Sequence, residues 1–379
     1  MIPDANVNMS MKTLRTISRI VIGLVFIFSG FVKGVDPMGT MFRIEDYFIA
    51  FHMEWAMPTA LVMTILLSTV EFTLGWLVLL NIRMKIVTRV LLLIISGFTV
   101  MTFFDAIYNP VPDCGCFGDA IILSNWQTFF KNVVLLMLTL VIVFTRKHAV
   151  TMMKVHTQNA IALTVIALFA LFCIYSYNRL PVIDFRDWKV GDKIIERPSG
   201  QDKTTLEYRN KMTGELRELL PKDLPWQDSA WMSQWQFVET RTEKTVFTGP
   251  VLHITDSTGA DVTGNFIENP HFQFILVSYD LSKVNRKALV KMNEFSRQAE
   301  ADGYSFIMLT NGLNDAIEKF RNDNHVPYEV YDADDIELKI MIRSNPGLIL
   351  MKNGVVVAKW HFHDFPDYGQ VKSKYLEAK

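Results

Sequence analysis

The chain has 379 residues, a hydrophobic fraction of 50% and a formal net charge of −1. A chain so close to neutral has no excess of cations to neutralise a phosphate backbone, which argues against a nucleic-acid partner. Its charged residues are divided unevenly, with 22 Asp, Glu, Lys and Arg residues up to Leu180 and 55 beyond it. The composition therefore predicts a membrane-embedded first part, residues 1–180, and a water-exposed second part.

Five stretches of the first part are strongly apolar and close to the length of about 20 residues that a helix needs to cross a membrane. They cover residues 17–33, 60–80, 86–108, 126–145 and 159–177. Helices of soluble proteins need a polar face, and these stretches have almost none. The residues after the first stretch, FVKGVDP, do not form the small-residue pattern of a signal-peptide cleavage site. We therefore predict an all-α transmembrane helix bundle that keeps its first helix, with the lipid bilayer as its surroundings.

The distribution of Lys and Arg over the short loops predicts the orientation of this bundle. On one side they are frequent: Lys12, Arg15, Arg19, Arg83, Lys85, Arg89, Arg146, Lys147 and Lys154. The other side carries Lys33 and Arg43 in its first loop and none in its second. The first side is therefore expected to be cytoplasmic, and five spans place the chain beyond Leu180 on the opposite side. We expect a multi-pass protein of a bacterial inner membrane with a cytoplasmic N-terminus and a periplasmic C-terminal part.

The loop between the third and fourth stretches reads NPVPDCGCFGDAI and contains two of the three cysteines, Cys114 and Cys116. It lies on the predicted periplasmic side, where disulfides can form. Cysteines separated by one glycine can close a small, strained disulfide, and strain makes a disulfide easier to exchange. A metal site would need further ligands, for which Asp113, Asp119 and His52 are available, and C-x-C alone is a weak metal signal. A tight turn with inert cysteines is the third possibility; we predict a redox pair, with no metal and no bound cofactor.

Other polar residues of the first part are candidates for supporting roles. Asp105 and Lys131 flank the cysteine loop and can pair with each other. Lys131 can also lower a cysteine pKa, or extend to the lipid headgroups. Glu71 lies near the middle of the second stretch, where a carboxylate is costly, so it is either a proton relay or substrate contact, or a hydrogen-bonding group between packed helices. Cys173, surrounded by apolar residues in the fifth stretch, is expected only to pack.

Three segments of the first part carry a family resemblance. They are GLVFIFSGFVKGVDP in the first stretch, VEFTLGWLVL around Glu71, and DCGCFGD followed by W…FFKN at the start of the fourth stretch. Together they resemble the DoxX family and, within it, the branch that contains MauE, a methylamine-utilisation membrane protein. The resemblance implies assistance to disulfide formation in a periplasmic enzyme and a bundle like that of vitamin K epoxide reductase-type thiol oxidases. By position, Cys114 and Cys116 would be the redox pair, and the spans contain no second C-x-x-C pair.

The second part divides into two predicted regions. Residues 181–270 form a β-rich segment, in which TLEYRNKMTGELREL reads as a hairpin with Thr213-Gly214 near its tip. Residues 271–379 alternate: strand FQFILVSYDL, amphipathic helix NRKALVKMNEFSRQAEADG, strand YSFIMLTN, helix NDAIEKFRNDNH, strand PYEVYD and helix IELKIMIRS. The run PGLILMKNGVVVAKWHF then forms two strands around an Asn353-Gly354 turn.

This order resembles the α/β thioredoxin fold, with Pro346 at the position of its cis-proline. The position of its C-x-x-C motif holds LSKVNRK, and no cysteine follows Cys173. Thiol chemistry by the second part alone is excluded, because the thiolate is the nucleophile. We therefore expect a thiol–disulfide oxidoreductase, or an accessory of one, that acts on an exported or envelope protein through the C-x-C pair. The alternative is a membrane anchor without enzymatic activity that scaffolds a cell-envelope complex.

Overall fold

The chain divides into two compact units. The first comprises Met1–Lys189, Ile342–Gly347 and Trp360–Pro366, and the second comprises Val190–Met341, Leu348–Lys359 and Asp367–Lys379. The computed structural model describes residues 5–148, 153–194, 203–219, 224, 229–243 and 252–377.

The first unit is built from α-helices with short connections. They are α1 (Ala5–Val35), α2 (Pro37–Ala50), α3 (Ala60–Leu79), α4 (Met84–Tyr108), α5 (Asn125–Thr145) and α6 (Val155–Tyr177), with a 3₁₀ helix at Glu54–Thr59 and another at Arg146–His148. Within the described residues, five segments are long and apolar enough to cross a membrane: Met11–Val35, Glu54–Leu79, Met84–Tyr108, Asn125–Thr145 and Val155–Tyr177. The predicted bundle of a multi-pass membrane protein is confirmed.

Helices α1 and α3 pack closely because a glycine lies at their contact. A Cβ atom on Gly30 would lie 2.5 Å from the backbone nitrogen of Phe72 and 2.8 Å from the carbonyl oxygen of Ser68, so a larger residue does not fit. Small residues are the usual means by which membrane helices approach each other. This close approach brings the neighbouring polar residues of α1 and α3 within reach of one another.

The connection between the first two spans contains a helix that the apolar pattern did not predict. Asp36 is the N-cap residue of helix α2, and its side chain accepts a hydrogen bond from the Gly39 nitrogen at 2.9 Å. Pro37 occupies the first helical position. An acidic N-cap followed by proline is a favourable helix start. The placement of Lys33 in this loop was wrong: α1 continues to Val35, and Lys33 is buried in its last turn.

The second unit contains a small antiparallel sheet, with strand order β2-β1-β3. Its strands are β1 (Lys203–Asn210), β2 (Leu216–Leu219) and β3 (Trp235–Glu243), and helix α7 (Ser229–Gln234) precedes β3. Leu206 pairs with Leu219 across β1 and β2, as the predicted hairpin requires. Tyr208, Leu224 and Trp235 form the apolar cluster of this sheet.

A larger sheet follows, with the strand order β4-β7-β6-β5-β8-β9 among the described residues. Its elements are β4 (Ile254–Thr255), α8 (Thr263–Ile267), β5 (Phe272–Ser278), α9 (Arg286–Ala301), β6 (Ser305–Thr310), α10 (Asn314–Asp323), β7 (Glu329–Ala333), α11 (Asp335–Met341), β8 (Gly347–Lys352), β9 (Val355–His361) and α12 (Tyr368–Val371). Strands β5 and β6 run parallel and are buried almost throughout, as expected of strands joined by a crossover helix. Two residues with positive φ, Asn353 and Gly354, form the tight turn between β8 and β9.

This topology is thioredoxin-like. A parallel β5-α9-β6 unit lies on one side of the central strand β5, and the β8-β9 hairpin lies on the other. The Asn345–Pro346 peptide bond that precedes β8 is cis, at the position expected from the sequence. The predicted fold class, a transmembrane helix bundle followed by a β-rich segment and an α/β thioredoxin-like region, is confirmed.

Candidate functional site

The two ends of the cysteine loop are held together at the first turn of α5. Helix α4 ends at Tyr108 and is followed by its C-cap residue Asn109, which has a left-handed backbone. The side-chain oxygen of Asn109 accepts a hydrogen bond from Asn125 Nδ2 at 2.7 Å. The same amide donates to the carbonyl oxygen of Val111 at 3.1 Å. Ser124 and Gln127 form a capping box that starts α5 directly after the loop. The loop is therefore a defined turn with fixed ends.

Within this loop, the Sγ atoms of Cys114 and Cys116 lie 2.8 Å apart, a thiol–thiol hydrogen bond. Gly115 between them has φ +62°, and a Cβ atom there would lie 3.0 Å from Arg43 Cγ, so a side chain is both strained and crowded. Its backbone nitrogen donates to Asp113 Oδ1 at 2.9 Å. Asp113 in turn forms a 2.7 Å ion pair with Arg43 of α2. The Gly115–Asp113 hydrogen bond and the Asp113–Arg43 ion pair hold this turn in place. The turn brings the two sulfur atoms of the C-x-C sequence together.

The two cysteines differ in acidity. The hydrogen bond from the Cys114 thiol lowers the pKa of Cys116 to about 6; burial opposes this, and the positive charges of Lys131 and Lys33 add to it. The pKa of Cys114 is raised, because its thiol donates that hydrogen bond and because it is buried. One proton shared between the two sulfur atoms leaves Cys116 as the thiolate. A thiolate is the reactive form of cysteine toward disulfides.

A buried polar network connects α1 and α3 to the loop. Lys33 Nζ lies 2.7 Å from both carboxylate oxygens of Glu71, and the side chains are 6% and 2% exposed. Lys33 also donates to Ser29 Oγ at 3.2 Å, and that oxygen lies 2.8 Å from Glu71 Oε2. The Ser29 hydroxyl also reaches the carbonyl oxygen of Cys116 at 2.6 Å. Glu71, a candidate from the sequence, thus forms an ion pair with Lys33 and is linked to the cysteine loop through the Ser29 hydroxyl.

The two flanking candidates, Asp105 and Lys131, form separate contacts. Lys131 Nζ lies 4.4 Å above the centre of the Phe117 ring, next to Cys116 in the chain. Asp105 is fully buried and accepts a 2.7 Å hydrogen bond from the Tyr47 hydroxyl. No ion pair joins Asp105 to Lys131 in the part of the chain that the structure describes. Burial, together with the Asp105 carboxylate, raises the pKa of Tyr47, so its hydroxyl remains a donor.

The end of the loop is held by a second charged cluster of the first unit. Arg343 donates to Asp36 Oδ2 at 2.8 Å and to Asp119 Oδ2 at 2.9 Å, and it is buried. Arg186, also buried, donates to Asp184 Oδ1 at 2.9 Å. Burial raises the pKa of Asp119, and Arg343 opposes that shift. Asp119, considered above as a metal ligand, therefore belongs to an ion pair.

A cavity of about 520 Å³ opens beside the cysteine pair. Cys114, Gly115 and Cys116 form part of its wall, and the remainder consists mainly of apolar side chains from α2, α3 and α4. A much smaller space of about 20 Å³ lies among Ser29, Lys33, Glu71, Cys116, Lys131 and their apolar neighbours. Cys116 thus lies between an apolar cavity and a small space that is lined in part by buried polar side chains.

Sequence reasoning missed Ser29, Lys33, Arg43 and Tyr47 as contributors to the site. A signal for Lys33 was available, since a cation close to a predicted span and a carboxylate inside the next one are natural partners in a membrane. Arg43 and Tyr47 lie in α2, a helix that the apolar pattern did not predict. Ser29 carries no recognisable signal, because a serine in an apolar helix is common.

Fold and site together define a multi-pass membrane protein that has a C-x-C thiol pair in its helical unit and a thioredoxin-like region after it. The model of the family described as Methylamine utilisation protein MauE matches residues 11–145, which include α5 and the cysteine loop. No curated protein matches the chain.

Solved structures that are similar to part of this chain include three from bacteria. A candidate protein disulfide isomerase from Bacteroides thetaiotaomicron has 14% identity over 33% of this chain and 83% of that chain, with a TM-score of 0.29. A thiol:disulfide interchange protein from Bacteroides sp. has 15% identity over 34% of this chain and 88% of that chain, with a TM-score of 0.27. StoA from Bacillus subtilis has 13% identity over 33% of this chain and 96% of that chain, with a TM-score of 0.25.

Proposed function

We propose that this chain is a thiol–disulfide oxidoreductase of a bacterial inner membrane, in which Cys114 and Cys116 exchange a disulfide with an exported protein. The observation that carries the proposal is the 2.8 Å separation of the two sulfur atoms in a turn that is held by Arg43 and by the ends of two helices. We place the N-terminus in the cytoplasm, and the cysteine loop and the second unit on the periplasmic side, from the distribution of Lys and Arg.

The acidity difference assigns a role to each cysteine. A thiolate of the partner attacks Cys114 Sγ, the Cys114–Cys116 bond breaks, and Cys116 leaves as a thiolate. The partner's second thiolate then attacks the partner sulfur atom that is bonded to Cys114, and Cys114 leaves. The partner loses two electrons and two protons; the pair gains both electrons and one proton, which Cys114 carries, and the second proton passes to water. A leaving thiol with a low pKa departs faster, so Cys116 suits this position and Cys114 is the sulfur that binds the partner.

The surrounding residues support this chemistry as positioning groups. Lys131 and Lys33 contribute positive charge toward the Cys116 thiolate. Glu71 neutralises Lys33 and, through Ser29, fixes the backbone of Cys116. Asp105 holds Tyr47 of α2, the helix that also supplies Arg43 to the loop. None of these residues exchanges electrons in the proposed reaction.

The second unit, which contains the thioredoxin-like region, contributes no thiol to this reaction, since no cysteine follows Cys173. We propose that it binds the polypeptide partner on the same side of the membrane as the loop. If the pair does not cycle, this unit is the basis of the alternative function, a membrane anchor that scaffolds an envelope complex.

Trapping of thiols in living cells tests the proposal. Cells that express the full chain are quenched with acid, and free thiols are labelled with a mass-adding maleimide before and after reduction. We expect Cys114 and Cys116 to become reduced while the cells are exposed to a reductant. They should become oxidised again after the reductant is washed out. Cys173→Ser is the matched control, because Cys173 is buried in α6 and takes no part. A Cys114→Ser/Cys116→Ser variant that leaves both growth and the redox state of exported proteins unchanged would eliminate the oxidoreductase in favour of the anchor.

A further inference from the structure

We propose that Arg343 is a positioning residue of the redox pair: it fixes the end of the cysteine loop to the start of α2 and thereby favours the disulfide form of Cys114 and Cys116. The inference rests on the proposed function, because this role has an effect only if the pair cycles. Arg343 lies 224 positions from its loop partner Asp119, in the segment Ile342–Gly347 of the first unit. The family model matches residues 11–145, so that match does not include Arg343.

The cysteine motif DCGCFGD has an aspartate at each end, and each aspartate pairs with an arginine. At the first end, Asp113 forms its 2.7 Å ion pair with Arg43 of α2. At the other end, Asp119 Oδ2 accepts a hydrogen bond from Arg343 Nη2 at 2.9 Å. Arg343 Nε also donates to Oδ2 of Asp36, the N-cap residue of α2, at 2.8 Å. Both ends of the loop are therefore attached to the same helix.

The first turn of α2 provides a slot for the guanidinium group of Arg343. A Cβ atom on Gly39 would lie 2.7 Å from Arg343 Nη2, so a larger residue would displace the group. The guanidinium lies 5.4 Å from the centre of the Phe42 ring, and the Arg343 side chain is 6% exposed. Charge-assisted hydrogen bonds to two carboxylates suit the planar, fork-shaped donor set of arginine. The slot and the donors together indicate a side chain that is built into the site.

Attachment at both ends limits how far the two sulfur atoms can separate. They lie 2.8 Å apart in the anchored loop. Reactive groups that are held close together have a high effective concentration, which favours the Cys114–Cys116 bond over two free thiols. Release of the Asp119 end would admit loop conformations in which the sulfur atoms are farther apart, and these stabilise the dithiol form. Arg343 therefore acts on the equilibrium of the pair through Asp119 and the loop backbone.

A redox equilibrium of the purified full-length chain in detergent tests this inference. The chain is equilibrated with glutathione buffers, in which one glutathione disulfide oxidises the pair and becomes two glutathione thiols. Samples are quenched with acid, and free thiols are counted by maleimide mass shift in a Cys173→Ser background, which restricts the count to the pair. The oxidised-to-reduced ratio in a given buffer measures the stability of the disulfide, which a purely structural role of Arg343 would leave unchanged.

Gly39→Ala displaces the guanidinium and changes no charge. The added carbon enters the slot, whereas alanine is itself a better helix former than glycine. We expect the oxidised-to-reduced ratio to fall roughly tenfold, which is about 30 mV for a two-electron couple. Gly97→Ala is the matched control, because Gly97 also lies within a helix, α4, and no described atom lies within 4 Å of the added carbon. Its ratio should equal that of the wild-type chain.

Asp119→Ala removes the loop partner of Arg343. Arg343 keeps its bond to Asp36, and the Asp119 side chain is 28% exposed, so the unit should still fold. We expect the ratio to fall by a similar factor. The pH midpoint of Cys116 alkylation should rise, because the hydrogen bond between the two thiols forms less often. Asp364→Ala is the control, since it removes one partner of an exposed ion pair of the same unit and should change neither quantity.

The double variant Gly39→Ala/Asp119→Ala shows whether the slot acts through the loop. It should match the Asp119→Ala single variant, because both changes break one contact. Full addition of the two effects overturns the proposal, and so does a ratio at or above the wild-type value in either single variant. Should Gly39→Ala fail to fold, Asp119→Ala decides alone by the same criterion.

A second assay separates the failure of this inference from the failure of the proposed function. The oxidised wild-type chain is mixed with a reduced dithiol peptide, and formation of the peptide disulfide is measured. If the peptide is oxidised while the variants keep the wild-type ratio, the role of Arg343 is overturned and the oxidoreductase stands. If the peptide is not oxidised, the oxidoreductase itself fails, and the role of Arg343 with it.

Discussion

The Ser29 hydroxyl oxygen lies 2.6 Å from the carbonyl oxygen of Cys116 and so links the first helix to the cysteine loop. The same oxygen lies 2.8 Å from Glu71 Oε2 and 3.2 Å from Lys33 Nζ, and Ser29, Glu71 and Lys33 are all buried. Because Ser29 accepts from Lys33 and has one proton to donate, its orientation depends on the ion pair. The Lys33–Glu71 pair therefore determines how firmly the backbone of Cys116 is held.

Removal of one partner of this pair should destabilise the helical unit. Glu71→Ala leaves the Lys33 ammonium buried without its counter-ion, and breaking a buried pair in this way costs about 3–5 kcal/mol. We expect a loss of that order in the free energy of unfolding, measured by detergent-induced unfolding in mixed micelles. Lys33→Met combined with Glu71→Leu removes both charges and should recover most of the loss. A Glu71→Ala variant as stable as the wild-type chain would show that the pair is not needed.

The pH dependence of Cys116 reactivity follows from its low pKa. Below pH 6 its sulfur is protonated and reacts slowly with iodoacetamide; as the pH rises through about 6 the thiolate forms, and the rate should rise and level off. Cys114→Ala removes the hydrogen bond that contributes most to this shift, so the midpoint should move upward. Cys114→Ser, whose hydroxyl can still donate, is the control and should move it less. The midpoint is read from alkylation rates measured by mass spectrometry of the cysteine peptide.

Substitutions of Lys131 test the low pKa of Cys116 independently of Cys114. Its positive charge lowers the pKa of Cys116, although less than the hydrogen bond from Cys114 does. Lys131→Met keeps the length of the side chain and removes the charge, so the alkylation midpoint should rise, while Lys131→Arg should leave it near the wild-type value. An unchanged midpoint in Lys131→Met would mean that Lys131 serves only to contact lipid headgroups and the Phe117 ring.

The parts of this molecule that the sequence predicted correctly are those with a strong local pattern. Apolar runs predicted the spans, and alternating strands and helices with an Asn353-Gly354 turn predicted the thioredoxin-like region. The site depends on contacts between distant segments, which no local pattern records. Lys33 meets Glu71 only because Gly30 lets two helices approach closely, and Arg343 meets Asp119 across 224 positions of sequence. The cysteine pair, the flanking Asp105 and Lys131, and the intramembrane Glu71 could be predicted in advance as candidates, but the contacts of Glu71 with Lys33 and Ser29 could not.

The turn between the cysteines should not tolerate a side chain at its centre. Gly115→Ala places a Cβ atom in a left-handed backbone, at a cost of about 1–2 kcal/mol, and brings it to 3.0 Å from Arg43 Cγ. We expect the two sulfur atoms to separate and the fraction of the pair that oxidises to fall, measured by maleimide mass shift. Gly191→Ala is the control, because Gly191 also has positive φ but no atom within 4 Å of the added carbon. Equal oxidation in Gly115→Ala and wild type would show that oxidation of the cysteine pair does not depend on the backbone geometry at Gly115.

The assignment of Cys114 as the sulfur that binds the partner predicts an asymmetry between the two single variants. In Cys116→Ser, the Cys114 thiolate can attack the disulfide of an oxidised partner, which releases one partner thiolate and leaves a mixed disulfide. No Cys116 thiolate remains to attack Cys114 Sγ and release the partner, so the complex should accumulate. In Cys114→Ser, the remaining Cys116 keeps a neighbouring hydroxyl donor and a lowered pKa, which makes it a good leaving group and a mixed disulfide through it short-lived. Acid-quenched cells separated on non-reducing gels should therefore contain a partner adduct in Cys116→Ser and little in Cys114→Ser. Equal adducts would assign partner binding to both sulfur atoms, and the reverse pattern would exchange their roles.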